Sequence, residues 1–126
     1  MEFVNGLKAN TSKGTVGVIL SMLENLPKGK VLDAPAGAGA ISRLLAKKGH
    51  DVVAFEMDEG EFAAKEVTLI IGDMNQPLPF RDDSFDYIVC IDGIEHLENP
   101  YFAIREFAKI LKSGGELLIS TPNISA

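Results

Sequence analysis

The sequence predicts a single α/β domain built on an open parallel sheet. Three observations lead there. Five short apolar runs, at 30–34, 51–56, 67–71, 87–91 and 117–120, lack the apolar–polar alternation of a half-exposed strand. Continuous runs of that kind suit parallel strands covered on both faces. Segments with helical spacing lie between most of them, as the crossovers of a parallel sheet require. Finally, 126 residues with 46% apolar and 24% charged side chains make one globular domain, 1–126, and exclude disordered, collagen-like and disulfide-scaffold chains.

The first dozen residues are polar, notably KANTSKG, and are expected to be loosely ordered without a ligand. In 15–26, Val16, Ile19, Leu20 and Leu23 share one helical face, and Pro27 and Gly29 stop the helix. The first strand (30–34) runs into a Gly/Ala loop. A helix follows on Ile41, Leu44 and Leu45, with Arg43, Lys47 and Lys48 opposite and Gly49 at the position just past its end. DVVAFE and VTLII make strands two and three, and one or two helical turns are expected in the short link across 59–66. YIVCI is strand four. Asn99 then reads as an N-cap and Pro100 as the first helical residue. Ile104, Phe107, Ala108 and Leu111 are the expected apolar face, Ser113-Gly114-Gly115 the stop, and LLIS a fifth strand ended by Pro122.

Composition narrows function before any motif does. Twelve Lys+Arg against eighteen Asp+Glu leave a net charge of −6, which provides no general footprint for nucleic acid or an anionic membrane. Cys90 is the only cysteine, so there is no internal disulfide and no cysteine-based metal cluster, and no metal site is expected. No apolar run reaches the roughly 18 residues of a membrane span, and Met-Glu-Phe-Val-Asn-Gly is not a signal peptide. A cytoplasmic domain is the expectation.

Ligands of an open parallel sheet bind beyond the carboxyl ends of its strands. There the sequence places Asp33 before Ala34-Pro35-Ala36-Gly37-Ala38-Gly39, then Glu56, Gly72-Asp73 and Asp92-Gly93. Each acid alone is an ordinary loop starter or cap; four around one glycine loop are not. Gly37 and Gly39 admit a ligand close to the backbone, and Glu56 follows at about the spacing, roughly 20 residues, of an acid that accepts ribose hydroxyls. An adenosine-type ligand is the expectation. Ser42 stands where a nicotinamide fingerprint has its third glycine, Asp33 disfavours a pyrophosphate, and no Gly-Lys-Ser/Thr follows for a P-loop. A nucleoside with a cationic amino-acid tail fits the acidic site better.

At this point the sequence resembles the class I S-adenosylmethionine-dependent methyltransferases, especially their type 11 and 12 domains. Val31-Leu32-Asp33-Ala34-Pro35-Ala36-Gly37-Ala38-Gly39 is similar to the family's first motif, with Pro35 replacing its first glycine. Glu56 matches the ribose-binding acid, and Gly72-Asp73-Met74 the segment that meets adenine. Pro77-Leu78-Pro79-Phe80, Asp83-Ser84-Phe85-Asp86 and Ile94-Glu95-His96-Leu97-Glu98-Asn99-Pro100 follow the middle section, and Leu111-Lys112-Ser113-Gly114-Gly115 and Ser120-Thr121-Pro122-Asn123 the last motif. The resemblance spans roughly 13–123.

The resemblance implies a Rossmann-like sheet of order 3-2-1-4-5 with helices on both faces and the family's strands 6 and 7 missing. The chain then looks like a fragment or minimal form holding the cofactor half. It implies S-adenosylmethionine as cofactor and S-adenosylhomocysteine as product. Implied cofactor contacts are Asp33, Ala34, Pro35, Ala36, Gly37, Gly39, Glu56, Met57, Asp73, Met74, Ile91 and Asp92. Methyl transfer is an in-line displacement at an activated carbon, so the protein supplies orientation, and a base only for a protonated nucleophile. His96 is the one candidate base near the strand ends; its alternative role is to tie a loop to a helix terminus. Cys90 reads as core, and Asp82 and Asp83 as a solvated turn. The expected function is methyl transfer to an unidentified, small-molecule acceptor. The alternatives are a cofactor-binding module without transfer activity and a nicotinamide-dependent dehydrogenase, which Asp33 and Ser42 oppose. Strand five, at 116–121, would be an apolar sheet edge and is expected to cause homodimerisation or poor solubility.

Overall fold

The computed structural model describes residues 2–4, 7–9 and 13–121. Its elements in chain order are β1 (Glu2–Val4), β2 (Leu7–Ala9), α1 (Lys13–Glu24), β3 (Lys30–Asp33), α2 (Ala40–Lys47), β4 (Asp51–Glu56), β5 (Thr68–Ile71), β6 (Phe85–Ile91), a 3-10 turn (Ile94–His96), α3 (Pro100–Ile110) and β7 (Leu111–Ser120). The main sheet runs β5-β4-β3-β6-β7, every pair parallel. Counting its five strands alone, this is the expected order 3-2-1-4-5.

Apolar continuity explains the layers. Val31, Leu32, Ala54, Phe55, Ile88 and Val89 on the central strands are buried, and alternate side chains serve opposite faces. One face carries Val16, Ile19 and Leu23 of α1 and Ile41 and Leu45 of α2. The other carries Ala103, Phe107 and Ile110 of α3 over Phe85, Ile88 and Cys90. Deleting a side chain such as Phe107 from this layer costs about 3–5 kcal/mol. The helix ends follow their sequence signals. Asn99 Oδ1 accepts from Phe102 N at 3.1 Å with Pro100 at the first helical position. At the end of α2, Gly49 N bonds Ala46 O at 3.0 Å and His50 N bonds Leu45 O at 3.1 Å, a Schellman cap that needs the φ of 99° at Gly49.

Four expectations are corrected. No helix forms across 59–66: a single turn, Glu61 N to Asp58 O and Phe62 N to Glu59 O, gives way to Ala63 N bonding Ala38 O at 2.9 Å. That bond pulls the link onto the loop after β3 and breaks helical continuity. In α3 the buried face is Ala103, Phe107 and Ile110, whereas Ile104 and Ala108 are exposed. The helix ends at Ile110, so Leu111 pairs with Phe85 in the sheet instead of completing a helical stripe. β7 therefore starts earlier than 117, with a bulge that lets 112–115 loop out before Glu116 pairs with Tyr87. The first dozen residues contain an antiparallel pair, Glu2 opposite Ala9 and Val4 opposite Leu7. Pro122, expected to stop the last strand, lies outside the described residues.

Candidate functional site

The parallel strands β3, β4, β5 and β6 deliver Asp33, Glu56, Asp73 and Asp92 to one end of the sheet. The loop after β3 is stitched there by backbone bonds: Ala34 N to Val89 O at 3.0 Å, Ala36 N to Phe55 O at 3.0 Å, Gly39 N to Ala36 O at 2.9 Å. The Ala34–Pro35 peptide is cis. Pro35 fits because residue 93 is glycine: a Cβ there would lie 2.3 Å from Pro35 Cδ.

Glu56 organises this loop. Its Oε1 accepts from Gly37 N at 2.8 Å and its Oε2 from Asp58 N at 2.9 Å, so the carboxylate joins the glycine loop to the end of β4. Gly37 has a φ of 57°, in the left-handed region that glycine tolerates. Gly39 is required for a different reason than ligand approach. Its φ is 94°, and an added Cβ would lie 2.7 Å from both Ala64 Cβ and Phe62 Cε1. The returning link after β4 already fills that space.

Asp33 is fully buried and accepts from Ser42 Oγ at 2.7 Å. Burial pushes its carboxyl up to about 7, against the lowering effect of the Ser42 hydrogen bonds, and the charge of Glu56 adds to the rise. Ser42, the residue that stands in for a third glycine, is thus the partner of the buried acid. Asp92 has a φ of 48°; its N–H donates to Ser120 O at 3.0 Å and its Oδ1 accepts from Ser120 Oγ at 3.2 Å. The turn after β6 is thereby tied to the end of β7.

A cavity of about 170 Å³ opens over the ends of β4 and β5. Of the residues predicted from sequence, Pro35, Glu56, Met57, Asp73, Met74 and His96 line it. Asp33, Ala34, Ala36, Gly37, Gly39, Ile91 and Asp92 are not in its lining, although Gly37 is one hydrogen bond from Glu56. Met74 is buried, Met57 is 68% exposed, and His96 is exposed, its backbone N–H bonded to Gly93 O at 3.1 Å. Sequence reasoning did not assign Phe55, Gly72, Asn75, Gly93 or Leu97 to this wall. For the two glycines a signal existed, since each directly follows a strand-end position: Gly72 sits where a Cβ would come within 2.5 Å of the Phe55 ring.

Cys90 is buried in the core, where burial, then the charge of Asp33, pushes its thiol up to about 12. It is no nucleophile. Among the described residues, no group of three or more His, Cys, Asp or Glu side chains could hold a metal ion, and no helix is long and apolar enough to cross a membrane.

Residues 32–119 match the sequence signature of a methyltransferase domain. A demethylmenaquinone methyltransferase of Corynebacterium efficiens is 36% identical over 108 residues, covering 81% of this chain and 46% of that protein. The chain thus spans less than half the length of that curated relative. Among solved structures, the PH0226 protein of Pyrococcus horikoshii superposes with a TM-score of 0.73 at 29% identity, over 90% of this chain and 60% of that one. A SAM-dependent methyltransferase of Thermotoga maritima superposes with a TM-score of 0.67 at 27% identity, over 80% of this chain and 48% of that one.

Proposed function

This chain belongs to the methyltransferase domain family, and on that premise we propose that it binds S-adenosylmethionine and serves methyl transfer to a small-molecule acceptor. One observation carries the reading. Glu56 and Asp73, from the ends of neighbouring parallel strands, line a single cavity together with Met57 and Met74. Two carboxylates beside thioether side chains suit a nucleoside, whose sugar hydroxyls and exocyclic amino group are donors and whose base is a flat apolar body. In this reading Glu56 accepts the ribose hydroxyls, Asp73 accepts the adenine amino group, and Met57 and Met74 pack the ring.

The remaining contacts fall on the loop after β3 and the turn after β6. Gly37, with Ala34, Pro35 and Ala36, runs along the methionine part, Gly39 packs that loop against the link after β4, and Ile91 and Asp92 bound the site from β6. Asp33 holds its proton to near neutral pH in the ligand-free chain; a cation nearby favours the ionised form. The cofactor, when bound, supplies a methyl group on a positively charged sulfur. What the chain supplies is orientation, exclusion of water from the cavity, and at His96 an imidazole able to take a proton from an acceptor. The acceptor is proposed as a small molecule, in keeping with the name of the Corynebacterium relative. Self-association through β7 and a cytoplasmic setting belong to the same proposal; Cys90, a buried free thiol, needs no oxidising compartment.

The alternative reading is cofactor binding without transfer. Titration calorimetry with S-adenosylhomocysteine tests the first claim. The wild-type chain binds it, and Glu56→Ala weakens binding ten- to a hundred-fold, from charge-assisted hydrogen bonds worth about 1.5–3 kcal/mol. An unchanged affinity would overturn the assignment of Glu56, and tighter binding of NAD would favour a dehydrogenase. Methyl-transfer assays on the binding-competent chain then separate the two readings.

A further inference from the structure

Asn75 lies two residues beyond Asp73 in the segment leaving β5, and it makes two bonds in two directions. Its backbone N–H donates to Asp73 Oδ1 at 2.8 Å, holding one oxygen of that carboxylate. Its side-chain Oδ1 accepts from Glu98 N at 2.9 Å, 23 residues along the chain and two residues past His96. Both Asn75 and His96 line the cavity. One residue therefore joins the wall bearing Asp73 to the loop bearing His96.

We propose that Asn75 is a positioning residue that sets the fit of the cavity, by strapping the loop after β6 to the loop after β5. The proposal rests on reading the cavity as a nucleoside site. The strap is separable from the fold. Leu78 N donates to Glu106 Oε1 at 2.8 Å, so the same segment is anchored to α3 independently of Asn75. The Asn75–Glu98 bond is also solvent-exposed, where a single neutral hydrogen bond adds little to global stability. Its effect falls on the position of residues 94–98 over the cavity. Truncating the side chain keeps the backbone bond to Asp73 and removes the strap.

The experiment pairs amide exchange at Glu98 in the ligand-free chain with S-adenosylhomocysteine titration, on wild type, Asn75→Ala and Asn75→Asp. Asn75→Ala speeds exchange at Glu98 and weakens the ligand about two- to tenfold, the range of one neutral hydrogen bond, with an almost unchanged melting temperature. Asn75→Asp keeps the shape and the acceptor and recovers both. Unchanged Glu98 exchange in Asn75→Ala overturns the strap, and wild-type affinity in that variant overturns its role in ligand fit. Should the wild-type chain not bind S-adenosylhomocysteine, the nucleoside reading and the role in ligand fit fall together; Glu98 exchange still decides the strap.

Discussion

Asp33 links the site to pH through its burial. The group's folded value of about 7 lies above its unfolded value of 3.8, because a charge at this depth loses its hydration. Between those values the folded chain holds a proton that the unfolded chain has released. Its contribution is therefore fully present below about pH 4, falls as pH rises, and is gone above about 7; the change is at most about 4 kcal/mol. Urea denaturation of wild type and Asp33→Asn across pH 4–8 isolates it. The amide still accepts from Ser42 and does not ionise, so the variant is expected to lose this slope and to match or exceed wild type at pH 8. Parallel pH profiles would refute the account. At this scale the site was partly legible. Asp33, Glu56 and Asp73 could be named because strand ends and charge are visible in sequence. Asn75 could not, because its partner Glu98 is set by how two loops meet.

Among the connections, the one between β4 and β5 departs furthest from its sequence reading. Its composition permits a helical turn, but Ala63 N finds Ala38 O and the helix stops. Gly39 is where the two segments touch, which makes a paired prediction possible. Gly39→Ala meets Ala64 and Phe62 as well as an unfavourable φ, and is expected to cost about 3 kcal/mol. Gly114→Ala, with a φ of 82° and open space around it, is expected to cost about 1 kcal/mol. Chemical denaturation measures both; equal costs would mean the contact across the link is not tight. In α3, the stripes through Ile104 and through Ala103 both include Phe107. The choice between them fell to the early turn at Ile110 into β7. A sequence signal for the β1–β2 pair is the Asn5-Gly6 dipeptide, of a type favoured in tight hairpins.

For the whole molecule, the feature with the largest consequence is the edge at β7. Among the described residues that strand pairs with β6 alone. A groove of about 780 Å³ runs between it and α1, lined by Val18, Met22, Leu26, Leu117 and Ile119 among others. Val18 and Met22 are more than half exposed. Unpaired backbone groups beside apolar side chains template association. The chain of 126 residues is therefore expected to self-associate through this edge. Ile119→Lys, which puts a charge on the exposed strand face, is expected to shift it toward monomer in light scattering across a concentration series. A wild-type chain that stays monomeric at high concentration would refute the expectation.

The sequence alone determined the five parallel strands, the two capped helix ends and the row of acids at the strand termini, and the family resemblance carried their order. These depend on local pattern: apolar continuity, cap residues, glycine and charge at fixed offsets. Tertiary structure decided which acid is buried most deeply, which glycine faces protein and which residue joins the two loops of the cavity. Those outcomes depend on desolvation and on contacts between segments some 20 to 60 residues apart, such as Gly37 with Glu56, Asn75 with Glu98 and Lys30 with Asp86. Local pattern holds no record of such distances, because the free energy that selects them arises only when the packed sheet brings the segments together.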